Sequence, residues 1–139
     1  MFTLHDRLKA DTTEIAKLRL SIALLMNDSS FPWVILVPMR AGVRELHDLA
    51  PPDRAVLMEE TAAASRAIER LYRPDPINIG ALGNIVPQLH IHVVGRNKKD
   101  RAWPGPVWGS GAPVPYPEAA LKAALASLKK AFQDELARF

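Results

Sequence analysis

The chain switches between a two-residue apolar rhythm and a helical one, and the order of these rhythms predicts its elements. Residues 18–27, Leu-Arg-Leu-Ser-Ile-Ala-Leu-Leu-Met-Asn, begin by alternating apolar with polar and run into Asp28-Ser29-Ser30, a strand followed by turn chemistry. Past Pro32, the β-branched run Trp33-Val34-Ile35-Leu36-Val37 closes at Pro38 and predicts a second strand, antiparallel to the first, so that a hairpin opens the domain. The rhythm then lengthens. Pro51 and Pro52 enter a segment that reaches about Tyr72, with Asp53 and Glu59-Glu60 toward its start and Arg70 and Arg73 at its exit. Leu57, Thr61, Ala64, Ile68 and Leu71 share one helical face, which makes this the main helix, covering one side of a sheet. Pro74 and Pro76 end it. Ile77-Asn78-Ile79-Gly80 reads as a strand turning through Gly83-Asn84 into another, Gln88-Leu89-His90-Ile91-His92-Val93-Val94. A loop follows to Pro117, rich in Pro, Gly and Trp. Its Trp103-Pro104 and Val107-Trp108 are too apolar for a free linker, so it is expected to be pinned against the body or a partner subunit. From Pro117 a terminal helix, about residues 117–137, sets Leu121, Leu125, Leu128, Phe132 and Leu136 at helical spacing.

Composition narrows the class. A chain of 139 residues, 48% hydrophobic, buries a real core and fits one domain spanning residues 1–139. The net charge of +3 suits an anionic small molecule, and the dispersed Lys and Arg residues do not mark a nucleic-acid groove. With no cysteine there are no disulfides, thiolate nucleophiles or cysteine metal sites, and a reducing cytoplasm is the expected location. Residues 1–10 carry His5, Asp6, Arg7 and Lys9 where a signal peptide needs an apolar run, and no stretch is long enough to span a bilayer, so no membrane role is expected.

The chemistry concentrates in the run from Gln88 to Val94. On a strand, Gln88, His90 and His92 share one face while Leu89, Ile91 and Val93 bury the other. Three readings compete. The two histidines stand about 7 Å apart at Cα, close enough to converge on a metal ion. A catalytic zinc, however, takes three protein ligands, Gln88 is a poor one, and no pattern joins His5 or His47 to the pair, so neither a metal nor a cofactor is expected. Alternatively, an imidazole attacks phosphorus readily and divides one hard displacement into two easier ones through a phosphoramidate intermediate. Finally, a strand histidine is often a satisfied structural residue.

The whole segment resembles the His-φ-His-φ-His-φ-φ signature of the histidine triad (HIT) superfamily, φ being apolar, with Gln88 in the first position. Its context matches as well: a Leu-Val-Pro strand, a helix after His47-Asp48-Leu49, a turn containing Gly and Asn, the histidine strand, then a Trp-Pro pair. The resemblance covers most of residues 18–108 and is nearest to bacterial HIT-family and diadenosine-polyphosphate hydrolase-like proteins. It implies an α+β fold, an antiparallel sheet with one main helix and a C-terminal helix, assembled as a homodimer. It makes His90 the nucleophile on the α-phosphate of a purine nucleotide conjugate or dinucleoside polyphosphate. His92 then assists orientation and the leaving group, and Gln88 takes the place of a titrating histidine. Asn27 and Asp28 fall where the resemblance puts a ribose contact, though they also suit a simple turn. Asn78 and Asn84 flank the turn before the histidines, placed either to orient imidazole or phosphate or to cap the turn. Trp33 and Ala41 stand where the family often has histidines, and Ile85 where many members have Ser or Thr. Gln88 and Ile85 motivate the alternative, a nucleotide-binding regulatory module with little or no catalysis. Trp33 and Trp108 suit a base pocket or the core, Arg96 is placed at the strand end either to meet phosphate or, as expected, to be solvated, and His47 is taken as structural.

Overall fold

The computed structural model describes residues 1–137. A short helix α1 (Asp6–Asp11) leads into β1 (Thr12–Lys17), followed by β2 (Ser21–Met26) and β3 (Trp33–Pro38). A single 3-10 turn at Leu46–Asp48 precedes the long helix α2 (Pro51–Tyr72), then come β4 (Ile77–Gly80), β5 (Ile91–Gly95) and the terminal helix α3 (Glu118–Leu136). The five strands form one sheet in the order β1-β2-β3-β5-β4, and every neighbouring pair is antiparallel. The expected α+β architecture is therefore present. The hairpin of β2 and β3 is present too, but it does not open the fold: α1 and β1 come first, and β1 lies along β2 as an edge strand.

Strand periodicity divides the core in two. Val34 and Leu36 of β3, with Ile91 and Val93 of β5, turn toward α2 and α3 and pack on Leu57, Ala64, Ile68, Leu128 and Phe132. Trp33, Ile35 and Val37, with Val94, turn the other way and meet Leu8 of α1, Phe31 and Val107 of the long loop. α2 and α3 thus cover one face of the sheet, leaving the opposite face, beside α1 and the long loop, for a site.

Pro51 and Pro52 start α2 where N–H groups have no partner anyway, and Arg73 ends it in a left-handed conformation (φ 49°) ahead of Pro74. Leu57, Thr61, Ala64 and Ile68 are buried as their spacing predicts, but Leu71, in the last turn of α2, is exposed. Glu60 is an unexpected member of the buried face. Its carboxylate accepts the N–H groups of Leu20 (2.9 Å) and Ser21 (3.1 Å), fastening the turn between β1 and β2 to the helix. Burial pushes Glu60 upward in pKa while those N–H groups draw it back. Gly95 is tightly packed: a Cβ there would stand 3.0 Å from the Pro74 side chain and 3.1 Å from those of Ile68 and Pro32.

Candidate active site

His90 and His92 lie on the face away from α2 and α3, bordering a cavity of about 600 Å³. Trp33 and Ile35 form its floor, α1 one wall through Leu8 and Asp11, residues 82–86 a second, and Val107 and Trp108 a third. Both histidines are buried, at 5% and 7% exposure, which is costly for imidazole unless its nitrogens are satisfied.

The partners of the two rings determine where their protons sit. His90 Nδ1 lies 2.7 Å from the Gln88 carbonyl oxygen. A carbonyl only accepts, so Nδ1 carries the hydrogen, and in the neutral ring Nε2 keeps its lone pair. His92 Nδ1 receives the indole N–H of Trp33 at 3.0 Å. An indole nitrogen only donates, so here Nδ1 is the lone pair and the proton sits on Nε2. Two adjoining rings, with centroids 4.9 Å apart and planes at 66°, therefore carry opposite tautomers. His92 is also flanked edge-on by Trp108, 5.4 Å between centroids. Burial pushes the His92 pKa down to about 3, and the neighbouring His90 adds to the shift.

Gln88 departs from its expected place. Strand pairing starts at Ile91, so Gln88 is outside the ladder and does not border the histidine cavity. It borders a smaller neighbouring cavity of about 330 Å³, together with Arg44, His47 and His90, which thus stands between the two cavities. Its amide holds the chain's first residues: Oε1 accepts the His5 N–H (2.9 Å) and Nε2 donates to the Thr3 carbonyl (2.8 Å). What Gln88 contributes to the histidines comes from its backbone, through the His90 bond.

The remaining candidates separate. Asn27 and Asp28 border the cavity at the end of β2, but their oxygens are engaged by the long loop. Asn27 Oδ1 accepts the Tyr116 N–H (2.9 Å), and Asp28 accepts the Val114 N–H (3.2 Å) and an Arg101 guanidinium (2.9 Å). Burial works against the charge on Asp28, yet Arg101 and the Ser30 and Val114 N–H groups hold its pKa below the ordinary carboxylate value. Asn84 borders the cavity and is exposed, as is Ile85 at 72%. Asn78 does not border it; its Oδ1 accepts from Arg96 (2.7 Å). Arg96 itself is not solvated but buried at 3%, paired with Asp100 (2.9 Å) and lying over the Trp103 ring. These bonds pin the Trp- and Pro-rich loop to the body of the same chain. Sequence reasoning missed α1 as a cavity wall and Trp33 as the partner of His92. The one available signal was that an indole occupied a position where the family often has a histidine. Among the described residues, no three His, Cys, Asp or Glu side chains gather to hold a metal ion.

A five-stranded antiparallel sheet that presents two neighbouring histidines in complementary tautomers beside a nucleotide-sized cavity defines a HIT-type protein. The model of the HIT domain matches residues 7–99, and the chain belongs to that family. It is similar to a histidine triad protein from Marinobacter aquaeolei VT8, at 46% identity over 96% of this chain and 98% of that one, with a TM-score of 0.94. It also matches the asymmetrical bis(5'-nucleosyl)-tetraphosphatase of Schizosaccharomyces pombe, 32% identical over 48% of this chain and 39% of that protein. An AP-4-A phosphorylase of Mycobacterium tuberculosis is 39% identical over 45% of this chain and 35% of its own length. The matches thus span well under half the length of these two relatives.

Proposed function

We propose that the chain hydrolyses or transfers nucleotidyl groups at the α-phosphate of purine nucleotide conjugates or dinucleoside polyphosphates, through a nucleotidyl intermediate on His90. One observation carries the reading: the bond to the Gln88 carbonyl places the His90 hydrogen on Nδ1, so that the neutral ring, which borders the cavity, has its lone pair on Nε2. Nε2 attacks the α-phosphorus, the bond to the leaving group breaks, and the bonding pair departs with that group. The ring becomes cationic, and its Nδ1–H bond to the carbonyl strengthens as charge develops. Water or another acceptor then attacks phosphorus, and Nε2 recovers its lone pair. His92 donates its Nε2–H to the phosphoryl region, where negative charge accumulates.

Asn27, Asp28 and Asn84 border the nucleotide in this reading, with Trp108 and Ile85 as apolar surface for the base. Asn78 and the Gln88 side chain act from outside the cavity, through Arg96 and the chain's first residues respectively. The reading includes a cytoplasmic protein, in keeping with the absence of cysteine. It also includes a homodimer, in keeping with the edge strand β4 and its exposed Ile79.

The test is brief exposure to a panel of adenosine and guanosine phosphoramidates and dinucleoside polyphosphates, with product analysis and intact mass spectrometry. Turnover, together with a nucleotidyl adduct that His90→Ala abolishes, is expected. No turnover of any member, or undiminished turnover by His90→Ala, refutes the reading. Tight nucleotide binding in a calorimeter with no product in the same sample favours a regulatory binding module instead.

A further inference from the structure

The Trp33–His92 bond bears on which leaving groups the site accepts. A general acid has to carry a proton that it can give up near neutral pH, and for histidine that species is the imidazolium. To become imidazolium, His92 would have to gain a hydrogen at Nδ1, setting N–H against the N–H of Trp33 across 3.0 Å. The surroundings offer no compensation. Just before β5 its near neighbour is His90, from β3 comes the neutral Trp33, and from the long loop comes the neutral Trp108. The carboxylates bordering the cavity are already paired, Asp28 with Arg101 and Asp11 with Arg7. The low His92 pKa agrees with this geometry. The guanidinium groups of Arg7 and Arg101 do not release protons near neutral pH. His90 is the nucleophile, its lone pair used in the attack.

We propose that Trp33 is a positioning residue that holds His92 as a hydrogen-bond donor and not as an acid, and that the site therefore prefers conjugates whose leaving group departs as a phosphate over those whose leaving group is an amine. The proposal rests on the nucleotidyl-transfer reading above and deepens it. In an anhydride, the new N–P bond to His90 Nε2 forms as the bridging P–O bond breaks, and the electron pair stays on a phosphate oxygen that is stable as an anion. In a phosphoramidate the pair falls on nitrogen, which has to take up a proton to leave as an amine. That proton has no side-chain source in the cavity and has to come from solvent.

The experiment compares kcat/KM for diadenosine tetraphosphate and adenosine 5'-phosphoramidate across pH, in the wild type, Trp33→Phe and Trp33→His. A missing general acid is worth about 10²–10⁴-fold, so the wild type should favour the anhydride by at least about 10²-fold. Trp33→Phe keeps the aromatic bulk but frees Nδ1, and should shrink the ratio about tenfold or more by raising phosphoramidate turnover below neutral pH. Equal use of both substrates by the wild type, or a ratio that Trp33→Phe leaves unchanged, overturns the proposal. If the wild type uses neither substrate, the nucleotidyl-transfer reading has failed, and nitrogen NMR of the imidazole rings judges the Trp33 lock on its own. Near neutral pH, His92 should be protonated at Nε2 and bare at Nδ1 in the wild type, and this preference should weaken in Trp33→Phe. An imidazolium or the opposite tautomer in the wild type overturns the lock.

Discussion

His92 should make the protein acid-sensitive by an amount that can be isolated. Its pKa stands at about 3 in the folded chain, against 6.5 for an unperturbed imidazole, because the charged form would be buried. Between these values the unfolded chain binds a proton that the folded chain refuses, so stability falls as pH drops through that window and the penalty is absent near pH 7. At about pH 4 the gap is about 2.5 pH units, which at ~1.4 kcal/mol per unit amounts to about 3 kcal/mol. Other groups titrate as well. Asp100, held down to about 2 chiefly by its bond to Arg96, loses stabilisation as pH falls below the ordinary carboxylate range, while Glu60, pushed upward by burial, acts in the opposite sense. These groups are common to the wild type and His92→Asn, whose amide oxygen still accepts from Trp33 but does not titrate. Urea unfolding of both proteins near pH 7 and at about pH 4 should show the wild type losing about 3 kcal/mol more than the variant. A difference below about 1 kcal/mol would refute the claim that His92 is buried in its neutral form.

Three further substitutions test the supports of the site. Gln88→Ala removes two bonds to the chain's first residues, worth together about 1–3 kcal/mol locally. Amide exchange in residues 1–8 should accelerate, whereas the His90 ring, held by a backbone carbonyl, keeps its tautomer. Asp28→Ala strands Arg101 and the Val114 N–H, and should cost about 2–4 kcal/mol, the lower end reflecting the partial exposure of Arg101. Thermal melting and faster proteolysis within residues 101–116 are the readouts. Gly95→Ala forces a methyl group against Pro74, Ile68 and Pro32, so a loss of about 1–3 kcal/mol in chemical denaturation is expected.

What could be read from the chain depended on whether an element's partners were local. The strands β2 and β3 and the helices α2 and α3 carry dense apolar periodicity, and all were legible. In contrast, β1 has one buried residue, Ile15, and α1 likewise has one, Leu8, so neither has a pattern to read. The alternation beginning at Gln88 was extended too far. Its side chain is claimed by Thr3 and His5, more than eighty residues away, and no local rhythm records such a bond. Arg96 was misjudged although its Asp100 partner lies four residues on, because burial depends on Phe31 and Trp103 closing over the pair. The tautomers of the histidines were invisible for the same reason: Trp33 reaches His92 only once β3 and β5 are side by side.

The walls of the cavity are built differently from its floor. The match to the HIT domain ends at residue 99, and Trp108, Arg101 and Val107 all lie beyond it. His90, His92 and Trp33 lie within the matched residues, whereas one side of the cavity is a loop beyond them, clipped to Asn27 and Asp28. The two histidines and one wall of their cavity are therefore held by separate sets of bonds. Exchanging residues 101–116 for another sequence that preserves those clips would reshape that wall while leaving the Trp33–His92 and His90–Gln88 bonds in place.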